Sequence, residues 1–168
     1  MNKENTVKNK QKSTAKTQII KRSLARLMAV QILYQKDFIN LDQEINKIKN
    51  DIVENYVLDY SQDISSYKNK IDEKFLDNLI FGVLQVCDTL DKEITNNLKE
   101  GWKLNDIDNI LQQILRCAIF ELKYIKNIPE KVVIDEYVSI SASFFDKKKV
   151  TFVNAVLDKV AKNMINKQ

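Results

Sequence analysis

The sequence predicts an all-α fold of six to seven helices that form two small bundles packed together. The chain has 168 residues, of which only two are Gly and one is Pro, whereas a sheet-rich fold needs a turn about every 8 to 12 residues. Apolar residues make up 44% of the chain, which is enough to bury one core. They recur at helical spacing over most of the length.

Positive charge is concentrated at the N-terminus, where we expect a disordered arm at 1–18 ahead of a single helical domain at 19–168. The first 26 residues hold eight bases and one acid, while the rest of the chain holds 19 bases and 22 acids. With so few apolar side chains before Ile19, the arm cannot offset the entropy cost of ordering. Such arms commonly bind polyanions, although a solubilising tail without a specific ligand is an equal alternative.

The first helix is predicted to run from Ile20 to Phe38. Arg22 and Arg26 lie opposite its apolar stripe, so we expect its first turns to present both arginines to solvent. Only three of the 27 basic residues are Arg, and so scarce a residue suggests a position that needs a planar, bidentate fork. The stripe follows the i, i+3, i+4, i+7 spacing of a helix and consists of Leu24, Leu27, Met28, Gln31, Tyr34 and Phe38.

Two further helices are predicted before Gly101, which marks a stop. The second, at about 42–60, carries an apolar stripe and is followed by a polar loop at 61–70. A single long third helix begins at Asp72, a residue type favoured at N-caps. Gly82 in its middle costs about 1 kcal/mol of helix stability relative to Ala, so we expect a close helix crossing there.

The C-terminal part of the chain is predicted to form three more helices. Asp106 is expected to cap the fourth, whose wide apolar face indicates a central position. Pro129 suits the first helical position of the fifth. A charged turn at 146–149 then leads to the last helix, for which Thr151 is the predicted cap.

The composition argues against an enzyme, a metal site and a cofactor. The chain contains no His, which removes the commonest acid–base catalyst, the commonest metal ligand and every His-containing triad. Its two Gly cannot build a phosphate-binding loop. Cys87 and Cys117 lie in apolar helical patterns without a C-x-x-C partner, so we expect buried free thiols in a reducing compartment. No apolar run approaches the ~20 residues of a membrane span, and we expect a cytoplasmic protein.

Two residues of the predicted core carry polar or aromatic groups that need a partner. Arg116 lies in the central helix and requires a carboxylate, for which Glu121 and Glu136 are the candidates. A buried structural ion pair is favoured over a ligand contact. Trp102, just after the stop at Gly101, is expected to anchor the core at a helix junction.

Three further positions have both a structural and a functional interpretation. Tyr34 and Phe152 are core residues by default, although aromatic side chains beside basic ones can stack on unpaired bases. The three lysines at 147–149 are either solvated surface or contacts to phosphate groups. Residue type alone leaves these alternatives open.

Four segments of the chain share the order and spacing of a known family's motifs. They are RSLAR at 22–26 with AVQILY at 29–34, ILRCAIFEL at 114–122, IPEKVVIDEYVSISASF at 128–144, and FVNAVLDK at 152–159. Together these segments resemble the NusB family of bacterial transcription antitermination proteins, and the resemblance covers residues 20–162.

The resemblance implies an all-α fold of two three-helix bundles without enzymatic activity. It implies a factor that binds the boxA sequence of nascent ribosomal RNA leader transcripts together with NusE, a small-subunit ribosomal protein. With other Nus factors, this complex helps RNA polymerase to read through terminators. The resemblance also allows a homodimer. The expected RNA-binding residues are Lys21, Arg22, Arg26, Tyr34, Lys148 and Phe152, of which the two arginines, Tyr34 and Phe152 match the family's contacts.

Two alternatives stand beside this interpretation. One is a purely structural helical oligomerisation protein that binds no RNA. The other is a stand-alone RNA-binding module related to the N-terminal domain of certain rRNA cytosine methyltransferases, although the chain has no Gly-rich cofactor-binding domain. The arm's lysines are expected to compensate for an arginine cluster at 22–26 that is sparser than in many family members.

Overall fold

The computed structural model describes the backbone at 3–39, 45–60 and 71–165 and the side chains at 17–37, 45–56 and 71–164. These residues contain seven α-helices, one 3-10 turn at Leu104–Asp106 and no strand. The all-α prediction is therefore confirmed. The helices are α1 (Lys3–Ile39), α2 (Ile45–Tyr60), α3 (Glu73–Gln85), α4 (Cys87–Asn97), α5 (Asn109–Tyr124), α6 (Glu130–Phe144) and α7 (Lys147–Ile165).

The helices form two groups that share one core. α1 packs against α2 and α3, whereas α5 packs against α4, α6 and α7, and α1 also crosses α5 directly. All seven helices contribute to a single cluster of buried apolar side chains. α5 is buried along 111–121 without interruption, as its wide apolar face predicted. None of the helices in the described ranges is long and apolar enough to cross a membrane.

The first helix begins at Lys3 and not near Ile20. From Lys3 onward the backbone of the basic arm is therefore helical in the structure and continuous with the core part of α1, whereas the sequence predicted an arm without fixed structure. The segment contains neither Gly nor Pro before Ile20, so nothing in it interrupts a helix. The predicted loop at 61–70 lies outside the described residues.

The single long third helix predicted from 72 onward is wrong, because Val86 separates two helices. Its backbone has φ −120° and ψ 23°, which lie outside the helical range. The Val86 amide still donates to the carbonyl of Gly82 at 3.3 Å, so the chain turns while keeping that hydrogen bond. The apolar spacing continues across the break, which is why the sequence pattern concealed it. The turn lets α4 leave α3 and pack against α5 and α7.

Both glycines lie where their small size or backbone freedom is needed. A Cβ atom at Gly82 would overlap the ring of Phe120, so the predicted close crossing exists and joins α3 to α5. Gly101 has a φ of +83°, in the left-handed region that only Gly adopts readily. It follows the end of α4, as the predicted stop requires.

The helix starts agree with the sequence in part. Asp72 caps α3 as predicted, accepting a hydrogen bond from the Phe75 amide at 3.1 Å. Pro129 stands immediately before α6, one position earlier than predicted. The cap of α5 is Asp108, which accepts from the Ile110 amide at 3.0 Å.

Two predicted caps are wrong. Asp106 does not cap α5, because its carboxylate accepts from the amide of Lys103 at 2.8 Å and so holds the 3-10 turn. α7 begins at Lys147, four residues before the predicted cap Thr151, because the carboxylate of Asp146 accepts from the Lys149 amide at 3.0 Å. The Thr151 hydroxyl donates to the carbonyl of Lys147 at 2.8 Å inside the helix.

Candidate nucleic-acid interface

The expected RNA-binding residues fall into two surface regions and one buried position. The basic edge consists of Lys21 and Arg22 on α1, together with Asp72 at the start of α3. The aromatic end consists of Tyr34, Trp102, Phe144, Phe145 and Phe152 with the lysines at 147–149. Arg26 belongs to neither region, because it is buried.

Arg26 is sealed in the core, contrary to the expectation that both arginines face solvent. Its side chain is 3% exposed and binds two carboxylates. Nη2 donates to Oε1 of Glu121 at 2.6 Å, Nε donates to Oε2 of the same residue at 3.0 Å, and Nη1 donates to Glu136 at 3.1 Å. The hydrophobic spacing places Arg26 on the polar side of α1. In the structure α5 and α6 pack against that side, and their acidic residues Glu121 and Glu136 bind the guanidinium.

The buried ion pair is fully hydrogen-bonded. The Tyr137 hydroxyl donates at 3.0 Å to Oε2 of Glu121, the oxygen that also accepts from Arg26 Nε. Burial lowers the pKa of Arg26, but the hydrogen bonds and charge of Glu121 outweigh burial and raise the pKa above its ordinary value. Burial and the nearby carboxylate raise the pKa of Tyr137, so its hydroxyl keeps its proton. The guanidinium therefore joins α1 to α5 and α6 and cannot reach an RNA phosphate.

Arg22 stays at the surface, one helical turn before Arg26. Its side chain is 39% exposed, and Nε lies 3.2 Å from Oδ2 of Asp72. The guanidinium also lies 5.2 Å from the ring centroid of Phe75, within cation–π range. Because the contact to Asp72 uses Nε, the two Nη groups are left for a phosphate. Lys21 beside it is half-buried, with its backbone carbonyl facing the Asp72 amide at 3.5 Å.

The aromatic end is built where α1 and α6 end and α5 and α7 begin. Tyr34 and Phe144 line one apolar cavity of about 400 Å³, which Ile110 of α5 also lines. The ring centroids of Phe144 and Phe145 are 6.3 Å apart. Those of Trp102 and Phe152 are 6.0 Å apart with an interplanar angle of 30°. The aromatic end therefore consists of two groups, one of Tyr34, Phe144 and Phe145 and the other of Trp102 and Phe152, and α7 connects them because it begins just after Phe145 and carries Phe152.

Lysines surround this end. The ammonium of Lys149 lies 4.6 Å from the ring centroid of Phe145 and 3.6 Å from the carboxylate of Asp108. Lys148 is exposed and lies four residues before Phe152 on α7, so both side chains occupy one helix face. Exposed positive charge and π surfaces are thus available within the same region, which is the combination that single-stranded nucleic acids bind.

The partners predicted for Arg116 are wrong, although the expected structural ion pair exists. Its guanidinium binds Asp91 with both ends of the fork, at 2.6 and 2.9 Å, and Asp37 at 3.0 Å. Glu121 and Glu136 are occupied by Arg26 instead. The pairing joins the end of α1 to α4 and α5. Sequence spacing could not identify it, because Asp37 and Arg116 are 79 residues apart.

The sequence missed two elements of this surface. Trp102 is 47% exposed, so it is not the buried core anchor that the sequence predicted. Asp72 was recognised only as a cap, yet it also accepts from Arg22 and, at 2.6 Å, from the amide of Gln18. The position of Trp102 after Gly101, among charged residues, was the one local signal for exposure.

The described residues offer no centre for metal or thiol chemistry. No group of three or more acidic or Cys side chains among them could hold a metal ion. Burial raises the pKa of the Cys117 thiol, and burial is also the main cause of the raised pKa of Cys87. Both cysteines are therefore poor nucleophiles at neutral pH. Both are free as expected, but only Cys117 is buried, whereas Cys87 is half-buried.

The sequence model of the NusB family matches residues 23–162 of the chain. A curated relative from Bartonella tribocorum, transcription antitermination protein NusB, is 38% identical over 144 residues. That match covers 86% of this chain and 90% of the relative. The family match over 23–162 includes both the core part of α1 from Ser23 onward and the start of α7.

Solved structures share the fold. NusB of T. maritima has a TM-score of 0.68 and 29% identity, over 84% of this chain and 90% of that one. A crystal structure of the antitermination factors NusB and NusE in complex with double-stranded RNA has a TM-score of 0.67 over 84% of this chain and 96% of that one. At 20% identity, this second likeness is one of fold alone.

The two neighbouring arginines should differ sharply in their effect on stability. We expect Arg26→Ala to lower the free energy of unfolding by about 3–5 kcal/mol, because it leaves the Glu121 carboxylate buried without its cation. Arg22→Ala should cost at most about 1 kcal/mol, since it removes a solvent-exposed ion pair. Urea unfolding followed by circular dichroism measures both values. Equal decreases in the two variants would contradict the assignment of Arg26 to the core.

Proposed function

The chain belongs to the NusB family, and we propose that it is a transcription antitermination factor that binds boxA RNA of nascent rRNA leader transcripts together with NusE. The observation that carries this function is the family match over 23–162, which spans nearly the whole helical core. The curated relative is a transcription antitermination protein, so the chain is an RNA-binding factor and not an enzyme. We place it in the cytoplasm, where transcription and ribosome assembly meet in bacteria.

Phosphate groups are held by the basic edge and by the start of α7. Arg22 supplies two guanidinium Nη groups, which suit the bidentate contacts of a phosphate. Lys21 adds a second positive charge on α1, and Lys148 contributes one at the aromatic end. Each contact displaces counterions from the RNA, so affinity falls as salt rises. Arg26 is buried and fixes α1 in the core, so it is not one of the RNA contacts.

Bases are read at the aromatic end. Tyr34 and Phe152 are both half-buried, so each is held in place while part of its ring reaches the surface. Sequence-specific recognition of RNA mostly uses unpaired bases that stack on such aromatic faces. This arrangement suits a single-stranded boxA segment, whose phosphates contact lysines while its bases contact rings.

NusE and RNA polymerase complete the assembly. A chain in the crystal structure of NusB and NusE with double-stranded RNA has the same fold as this protein. This likeness supports a heterodimer with NusE. Two proteins that contact one RNA raise each other's apparent affinity, because the second contact is intramolecular once the first has formed. The heterodimer on leader RNA then joins the elongating polymerase with the other Nus factors.

Binding of boxA RNA should be modest for the chain alone and tighter for its complex with NusE. We expect the increase to lie in the range of about 5- to 150-fold that is typical of coupled binding. Electrophoretic mobility shifts with a single-stranded boxA oligonucleotide, with and without NusE, measure it.

Two variants on one helix control this experiment. Lys148→Gln should weaken binding, whereas Lys162→Gln, about 21 Å further along α7 and also exposed, should not. Equal affinities with and without NusE would refute cooperation. Absence of RNA binding under both conditions would favour the purely structural alternative.

We further propose that the lysines of the arm at 1–18 add sequence-independent phosphate contacts. Deletion of these residues should weaken RNA binding and make the slope of log affinity against log salt shallower, by roughly 0.7 for each phosphate that the protein no longer neutralises. A full-length variant with Gln in place of Lys3, Lys8, Lys10, Lys12 and Lys16 separates charge from chain length. An unchanged slope in both proteins would disprove a role for the arm.

Asp72 leaves the two Nη groups of Arg22 to a phosphate but offsets part of the positive charge of the guanidinium, because its carboxylate lies 3.2 Å from Nε. Asp72→Asn should therefore raise RNA affinity by roughly twofold to fivefold, the scale of one exposed ion pair, while Asn still caps α3. Asp77→Asn on the same helix is the matched control, since it removes one negative charge from an ion pair with Lys49 of α2. An equal rise in RNA affinity in both variants would show that the effect comes from the net charge of the protein and not from the contact between Asp72 and Arg22.

A further inference from the structure

Trp102 is half-exposed although it is the largest aromatic side chain in the molecule. It is 47% exposed and is the only Trp of the chain. Its indole stacks on the ring of Phe152 with a centroid distance of 6.0 Å and an interplanar angle of 30°. Phe152 therefore supports one side of the indole, and much of the remaining surface is open to solvent.

The loop that carries Trp102 is held by several hydrogen bonds. The Trp102 amide donates to the carbonyl of Lys99 at 3.0 Å, and the neighbouring Lys103 amide donates to Asp106 at 2.8 Å. Behind the loop, the buried amide of Gln112 donates to the carbonyls of Leu104 and Ile107, at 3.2 and 2.9 Å. The indole is thus presented on a fixed loop, and binding a ligand there costs little conformational entropy.

Each member of the stacked pair has a lysine as a near neighbour along the chain. Lys103 follows Trp102 directly and is exposed, and Lys148 lies one helical turn before Phe152 on the same face of α7. A flat apolar surface between cations has the chemistry that a nucleotide requires, because the base covers the ring while the phosphates meet the ammonium groups.

We propose that Trp102 is a nucleobase-stacking residue: its exposed indole face, backed by Phe152 and flanked by Lys103 and Lys148, binds an unpaired base of the RNA. The inference rests on the proposed function for the identity of the ligand. It extends the base-reading surface from Tyr34 and Phe152 to the loop after α4. A Trp that served the core alone would bury both of its faces, which this one does not.

Because Trp102 is the only Trp of the chain, the intrinsic Trp fluorescence of the protein reports on this one residue. We expect a single-stranded boxA RNA to quench the intrinsic fluorescence of Trp102 in the wild-type chain, because a stacked base quenches the indole. The fluorescence at saturating RNA should be the same with and without NusE. Inorganic polyphosphate, which carries the charge without bases, should leave the fluorescence unchanged. Equal quenching by polyphosphate, or no quenching at saturating RNA, would overturn the proposal.

Variants test the energetic contribution. Trp102→Leu should weaken boxA RNA binding roughly tenfold, within the range measured for one stacked base, and Trp102→Phe should weaken it less because it keeps a π face. The slope of log affinity against log salt should stay the same in both, since stacking releases no counterions. Tyr124→Ala is the matched control, because Tyr124 is also 47% exposed but lies at the opposite end of α5. Urea unfolding verifies that each variant is folded.

The outcomes separate this inference from the proposed function. If the wild-type chain binds boxA RNA and folded Trp102→Leu binds it equally well, Trp102 is not a base contact. If Trp102→Leu keeps RNA affinity but has a reduced affinity for NusE, the indole belongs to the protein interface and the inference is wrong. If the wild-type chain binds no boxA RNA even with NusE, the proposed function fails, and the inference fails with it.

Discussion

The buried ion pair between Arg26 and Glu121 determines how α1 sits in the molecule. Glu121 lies on the central helix, is fully buried and accepts hydrogen bonds from both Arg26 and Tyr137. A charge in such surroundings is tolerated only when its partner is held in one well-defined position. The rotation and axial position of α1 against α5 and α6 therefore follow from this contact. Arg22 reaches the surface because it lies one turn earlier, and Tyr34 reaches the aromatic end because it lies two turns later.

A second arginine fixes the C-terminal end of α1. Arg116 binds Asp37 of α1 and Asp91 of α4, so the end of α1, the central helix and α4 are connected. The fork of Arg suits this task, since it can bind two carboxylates in fixed directions. Two of the three arginines are thus used for the fold, and the proposed phosphate contacts rest on Arg22 and on lysines. Because lysine contacts are point charges, the proposed function assigns most of the sequence discrimination to the aromatic end.

The sequence predicted those features that depend on local spacing. Apolar periodicity identified the helices, and residue type identified the cap at Asp72 and the crossing at Gly82. It failed where a residue's environment is set by partners far along the chain. Arg26 was assigned to solvent because its own helix places it on a polar side, and the two acids that cover that side lie 95 and 110 residues later. The prediction for Trp102 was wrong in the opposite direction, because it was expected to be buried and is exposed. Apolar character does not reveal whether another part of the chain packs over a side chain.

The distance between the two surface regions constrains how RNA can bind. Arg22 and Tyr34 are 12 residues apart on one helix, which corresponds to about 18 Å along its axis. An RNA strand that contacts both Arg22 and Tyr34 must therefore run along α1. Its bases can stack on aromatic side chains only at the aromatic end. Because both residues belong to one continuous helix, which ion pairs hold in the core at Arg26 and at Asp37, this distance does not adapt to the ligand. The protein can then select RNA by the separation between a phosphate contact and a splayed base, in addition to the identity of the base itself.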